Sequence, residues 1–200
     1  MVRRTRAAME QTRALLLETA RQVFTERGYA DTSMDDLTAQ AGLTRGALYH
    51  HFGDKQGLLK AVVDQLDAEM DERLRAITDT ADDAWDGFHR RCRAYLEMAL
   101  EPPIQRIVLR DARAVLGVGS PDAQQHCVES MQHLIENLIE QGVVADVPAQ
   151  ALASLIYGSL AEAAVWIAEA EDGPMRLAQA TTALELLMRG LLKDHGTASY

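Results

Sequence analysis

The run Thr44 to Lys55, TRGALYHHFGDK, holds five side chains suited to a polyanion: Thr44, Arg45, Tyr49, His50 and Lys55. Arginine matches a guanine edge or a phosphate, and tyrosine and histidine donate to phosphate oxygens. At helical spacing, Ala47, Leu48 and Phe52 turn inward and leave Arg45, Gly46, Tyr49 and His50 outside. A helix this short has little surface for an aromatic without a task. Gly46 weakens it by about 1 kcal/mol relative to alanine, which makes sense where something approaches the backbone. His51 reads either as packing or as contact. Lys55 falls in the first turn of the next helix, where a cation opposes the helix dipole. A phosphate on the same helix end reverses that sign. The chemistry implied is recognition of nucleic acid, with no bond made or broken.

These residues need two short helices and a tight turn to hold them, and the stretch from Ser33 to Lys55 supplies both. Ser33 is an N-cap with a carboxylate, Asp36, three residues on. Met34, Leu37 and Ala41 form one apolar face, and Gly42 stops the helix. Thr44 caps the second helix, Gly53 ends it, and Asp54 caps a third. Thr32 and Ser33, beside a helix start, read as caps that also stand where a phosphate could be met. Ahead of them, about Thr12 to Arg27 reads as a helix with Leu16, Ala20, Val23 and Phe24 inside, closed by Gly28.

The stretch from Gln11 to Leu59 resembles the DNA-binding domain of the TetR family of transcriptional repressors. The resemblance rests on Phe24, Gly28, Tyr29, Thr32, Ser33, Met34, Leu37, Ala41, Gly42, Thr44, Gly46, Leu48, Tyr49, His51, Phe52, Lys55 and Leu58, and above all on the run GALYHHFGDKQGLL. It implies DNA contacts from Thr44, Arg45, Gly46, Tyr49, His50 and Lys55, with Thr32 and Ser33 supporting. Arg45 would read a base, and Lys55, Tyr49 and Thr44 would clamp phosphate. It also implies a homodimer on a palindromic operator, released by a small-molecule effector, with repression as the usual mode. The remaining three quarters resembles the family only in being helical and of suitable length.

Composition is consistent with this. The chain has 200 residues, 48% hydrophobic and 25% charged, with few aromatics, which favours helices. Its net charge of −10 looks wrong for a DNA binder. Residues 1–60, however, carry nine basic against seven acidic side chains, a net of +2, which leaves −12 for the remainder. Arg3, Arg4, Arg6 and Arg13 suggest a mobile basic arm or a solvated tail. The opening MVRRTRAAMEQTR lacks the apolar core of a signal peptide. Cys92 and Cys127 form no CxxC pair, so a reduced, cytoplasmic setting is expected.

The expected fold is all-α with about nine helices. Residues 10–70 would form the DNA-binding domain, with the helix-turn-helix at 33–52. Residues 71–200 would form a helical ligand-binding and dimerisation domain. A fourth helix, Lys55 to about Thr78, would span roughly 35 Å. A fifth runs to about Leu100, a sixth from Ile104 to about Leu116 and a seventh from Pro121 to Gln141. Between Pro148 and Ala170 the formal charges are Glu162 and Glu169 alone, so this helix is apolar on every face. Such a helix is buried all round or crosses a membrane. Ser154, Tyr157, Ser159 and Glu162, and the lack of flanking basic anchors, argue against membrane. A second subunit is the better cover, with a ninth helix, about Met175 to Lys193, completing an intermolecular four-helix bundle. Leu160, Ala164, Leu177, Leu184, Leu187, Met188 and Leu191 are the expected interface.

A ligand pocket is expected among helices four to eight, lined by Phe88, Tyr95, Met98, Met131, Tyr157 and Trp166. Glu162 sits mid-helix among apolar residues and needs Arg110, Arg113, a cationic ligand or solvent. His89 with Cys92, and His126 with Cys127, lack the second pair a zinc site needs, so no metal or cofactor is expected. No HExxH, GxSxG, GxGxxG or P-loop points to catalysis. The competing reading is a dimeric small-molecule or protein-binding module without DNA function, which the acidic total charge favours and the outward set Arg45, Tyr49, His50 and Lys55 opposes.

Overall fold

The structure, a computed structural model, describes residues 6–117 and 121–193. Among these residues there are helices and one isolated backbone bridge, Val144 to Leu192, with no strand. The helices are α1 (Arg6–Arg27), α2 (Met34–Ala41), α3 (Arg45–Phe52), α4 (Lys55–Asp79) and α5 (Ala84–Met98). Next comes α6, residues 104–116, π-helical over Ile104–Ala112 and α-helical over Arg113–Leu116. Then follow α7 (Pro121–Glu140), α8 (Ala149–Ala168) and α9 (Gly173–Arg189). The chain divides into two compact units, Met1–Glu69 with Glu101–Val118, and Met70–Leu100 with Gly119–Tyr200.

In the first unit, Leu16, Leu17, Ala20, Val23 and Phe24 of α1 meet Leu37, Leu48, Leu58, Leu59, Val62 and Leu66 in one apolar core. Helix α1 already includes Arg6, six residues before the expected Thr12. Arg6 pairs with Glu10 one turn on, at 3.0 Å, and Arg13 lies on the helix, so neither belongs to a mobile arm. Arg3 and Arg4 lie outside the described residues. Arg21 ties α1 to α4 through both carboxylate oxygens of Glu69, at 2.8 Å.

Helix α6 also belongs to this unit, although a single boundary near residue 70 would place it in the second. Ile107 is fully buried in the first core. The Tyr29 amide donates to Asp111 Oδ2 at 2.7 Å, and Arg106 Nη2 donates to the Arg27 carbonyl at 3.3 Å. Arg106 lies so close over the chain that a Cβ on Gly28, whose φ is +84°, would fall 1.8 Å from its guanidinium. Gly28 is thus fixed by two demands, a left-handed backbone and a close neighbour.

In the second unit α7 and α8 pack most extensively, and α5, α8 and α9 complete a bundle. Its core includes Phe88, Cys92, Leu96, Ile135, Leu138, Ala153, Leu160, Ala164, Ile167, Leu184 and Met188. Burial pushes the Cys92 thiol up to about 12, so it packs as an uncharged group. Helix α8 is long and apolar enough to cross a membrane by composition, yet it packs against α5, α7 and α9. Asp83 and Asp172 cap α5 and α9 by accepting from the amides of Asp86 (2.8 Å) and Met175 (2.9 Å).

The start of α2 gives a direct test. Asp36 accepts from the Ser33 hydroxyl at 2.6 Å and the Ser33 amide at 3.0 Å, and Ser33 Oγ accepts from the Asp36 amide at 3.1 Å. These bonds hold the Asp36 carboxyl below its ordinary value of 3.8. A depressed folded-state pKa stabilises above the unfolded value, and the gain disappears as pH falls through the folded one. Asp36→Ala should therefore lower the melting temperature at neutral pH. The gap from the parent protein should narrow as pH falls below about 4, read by circular dichroism against pH.

Candidate nucleic-acid interface

Helix α3 is only 8 residues long, and its two faces are sharply divided. Ala47 and Leu48 are buried, Leu48 completely, while Arg45, Gly46, Tyr49 and His50 are exposed. Phe52 is half-buried, with the Arg13 guanidinium 5.5 Å from its ring centre. Thr44 is the N-cap; its Oγ1 accepts from the Ala47 amide at 3.3 Å, which leaves the hydroxyl proton outside that bond. His51 is half-buried between the rings of His50 and Phe52, at centroid distances of 5.5 and 6.0 Å.

Lys55 opens α4, half-buried, with Nζ 4.1 Å from the centre of the Tyr29 ring. Partial burial lowers its pKa, and Asp111 and Asp31 act in the opposite direction. The ammonium is held by an aromatic face rather than by a close carboxylate. Asp54 caps the same helix end, accepting from the Gly57 amide at 2.7 Å.

Two of the expected contacts are spent inside the protein. Thr32 is 2% exposed, and its hydroxyl donates to the Gly28 carbonyl at 2.7 Å. Its side chain closes the turn after α1 and is not presented to a ligand. Ser33 is exposed, but its hydroxyl is committed to Asp36 in both directions. The sequence reading also missed a partner. Arg45 Nη2 pairs with Asp35 Oδ2 on α2, both side chains more than half exposed. The two residues lie ten apart across the turn, so no helical periodicity links them.

The ligand and interface candidates of the second unit do not form one set. Phe88, Met98 and Met131 are buried, and Tyr95 and Tyr157 are half-buried. Glu162 and Trp166 instead face outward on α8, so neither lines an interior cavity. Within its own unit Glu162 is therefore not a buried charge, which was the reason for singling it out. Among the described residues the buried charge is Arg91, which no apolar pattern could reveal. It donates to Ser130 Oγ at 3.3 Å and lies 3.6 Å from Asp71. His89 Nε2 lies 2.9 Å from Glu185 Oε1, linking α5 to α9.

Among the expected interface residues, Leu160, Ala164, Leu184 and Met188 are buried within their own unit and cannot face a partner. Leu177 and Leu191 are half-buried, and Leu187 is exposed. The large apolar residues left outside on these helices are Leu155 and Trp166 on α8 and Met175, Leu186 and Leu187 on α9, Leu155 and Leu186 being 72% and 73% exposed. The α8 pair repeats at helical spacing with Gly158, Ser159 and Glu162 between them.

Comparison with known proteins gives two family matches, the second of which spans α6 although that helix packs in the first unit. A family model described as "Bacterial regulatory proteins, tetR family" matches residues 16–62. One described as "Tetracyclin repressor-like, C-terminal domain" matches residues 85–191, more than half of the chain. The chain is 80% identical to a TetR-family transcriptional regulator from Pectobacterium atrosepticum, known from a crystal structure. That match has a TM-score of 0.90 and covers 94% of this chain and 98% of the other. Over 76 residues it is 43% identical to the HTH-type transcriptional regulator TtgR of Pseudomonas putida. This match covers 38% of the chain and only 36% of TtgR. A solved gamma-butyrolactone receptor (ArpA-like protein) is 26% identical with a TM-score of 0.61, over 93% of this chain and 90% of that one.

Gly46 separates stability from binding. A Cβ built there meets nothing closer than Thr44 Oγ1, at 4.0 Å. Gly46→Ala should leave the fold intact and raise stability by up to about 1 kcal/mol through helix propensity. If a nucleic-acid backbone approaches this point, the same change should weaken duplex binding. Urea unfolding and fluorescence anisotropy on one preparation would read both effects.

Proposed function

The chain belongs to the TetR family of bacterial transcriptional regulators, and from that premise we propose that it is a ligand-released, homodimeric repressor of a palindromic operator. The observation that carries this reading is the outer face of α3. Arg45, Gly46, Tyr49 and His50 stand exposed on a helix whose other face is locked into the core. In this reading α3 enters the major groove, and Arg45 reads a guanine edge. Thr44, Tyr49, His50 and Lys55 meet phosphates, with Lys55 at the N-terminus of α4, where an anion is favoured. Gly46 permits close approach of the DNA. Ser33 and Thr32 contribute by holding the start of α2 in place.

The second unit is assigned effector binding and dimerisation. The C-terminal family match and the similarity to a gamma-butyrolactone receptor support a small-molecule effector. Phe88, Tyr95, Met98, Met131 and Tyr157 remain its candidate lining. The effector releases DNA by binding more tightly to the conformation that fits the operator less well. The exposed apolar stripes of α8 and α9, centred on Leu155, Trp166, Leu186 and Leu187, are the surface proposed to be covered by a second subunit. Function in the cytoplasm, where the operator is, completes the reading.

Selection from a random duplex pool tests the proposal. Enrichment of a palindrome is the expected result. A folded, dimeric protein that enriches nothing at low salt would instead be a binding module without DNA function. On the selected site, Arg45→Ala should relax preference at one base pair of each half-site by about 1–3 kcal/mol. Lys55→Ala should weaken all sequences alike and reduce the salt slope by about 1. Leu186→Glu, placed on an exposed position, should yield folded monomer by light scattering and lose most operator affinity.

A further inference from the structure

We propose that Asp35 is a positioning residue for DNA recognition, one that aims Arg45 and raises discrimination between sequences at the expense of general affinity. The proposal rests on the reading of Arg45 as a base contact.

Two carboxylates stand side by side in the first turn of α2, and they have different partners. Asp36 is consumed by the capping box with Ser33. Asp35 takes no part in that cap and reaches across the turn to Arg45 Nη2. Both side chains are well exposed, at 54% and 66%. Exposed ion pairs contribute little to stability, so folding alone does not account for this one. The pair also stands on the surface proposed to face DNA, where a carboxylate repels every phosphate that comes near.

A positioning role explains both features. Arginine is long and flexible, and an unrestrained guanidinium pairs with the nearest phosphate as readily as with a base. Asp35 occupies one Nη2 proton and fixes the plane of the fork. The remaining N–H groups stay available for a guanine edge, which demands a planar bidentate approach. Repulsion by Asp35 falls on all sequences equally, whereas the aimed fork helps only where its base is present. Removing Asp35 should therefore move two quantities in opposite senses. Cognate preference falls, and affinity for scrambled duplex stays level or rises.

The test uses the full-length protein, the selected operator, a duplex changed at the Arg45 base pair and a scrambled duplex. Variants are Asp35→Ala, Asp35→Asn, Arg45→Ala and the double variant Asp35→Ala/Arg45→Ala, each checked for folding by circular dichroism. Asp35→Ala should lower cognate-over-changed preference about tenfold, within the range of a single bidentate base contact. Affinity for scrambled duplex should be equal or higher. Asp35→Asn keeps an acceptor oxygen beside Arg45 and should restore part of the preference. In the Arg45→Ala background the Asp35 change should have no further effect on preference. If Asp35→Ala keeps full preference while Arg45→Ala loses it, Asp35 is a surface charge and the proposal fails alone. An equal loss on cognate and scrambled duplex would also overturn it, since that marks damage to α2. Unchanged preference in Arg45→Ala would overturn the base-reader assignment and the proposal with it.

Discussion

An eight-residue helix is not stable by itself, because nucleation is costly and few hydrogen bonds follow to offset it. Helix α3 persists because Leu48 is driven into the apolar core that α1, α2 and α4 share. That one insertion fixes the rotation of the helix about its axis. With a period of 3.6 residues, burying Ala47 and Leu48 forces Arg45, Tyr49 and His50 to the other side. The polar outer face of α3 is thus a by-product of where the apolar side chains must go. The ties around it serve the same end: the Thr44 and Asp54 caps, the Ser33–Asp36 box, and Tyr29 held by Asp111.

Before any ligand arrives, the polar groups of this surface are already partitioned. Thr32 and Ser33 have spent their hydroxyls on the protein's own backbone and carboxylates. Arg45 and Lys55 are held by partners that let go more easily, an exposed carboxylate and an aromatic face. Side chains already restrained lose less entropy on binding, and that saving appears as affinity or as selectivity. This explains why a structural cap and a ligand contact can share one segment without competing for the same atoms.

What was legible beforehand was mostly local. Capping chemistry at Ser33, Thr44 and Asp54, glycine stops at Gly28, Gly42 and Gly53, and the inward set Leu37, Ala47 and Leu48 follow from short-range rules. What was not legible depends on contacts far apart in the chain. Residues 104–116 look like any amphipathic helix. Asp111 on Tyr29, Arg106 on the Arg27 carbonyl and Ile107 in the first core reveal which unit they join. Arg91 reads as surface until its pairing with Asp71 and Ser130 is seen. On α8 and α9 the apolar residues cover so much of the circumference that periodicity could not separate the inner from the outer stripe. Leu160 and Leu184 therefore belong inside, while Leu155 and Leu186 are left in solvent.

The acidic total charge also finds a place in this picture. Screening at physiological salt reduces interactions beyond about 8 Å, so a phosphate brought to α3 would respond mainly to the charges immediately around it. Over the first unit as a whole, 1–69 with 101–118, basic and acidic side chains balance at twelve each, and Asp35, Asp36 and Asp54 near α3 are already paired or capping. The −10 carried by the second unit, 70–100 with 119–200, opposes its loose attachment to nucleic acid. Non-specific binding is almost entirely electrostatic, while base reading depends on short-range hydrogen bonds. A chain that is acidic away from the helix proposed to read DNA therefore suppresses the non-specific term more than the specific one. For a regulator that must find one site among a genome of competitors, the ratio of those terms matters more than either affinity.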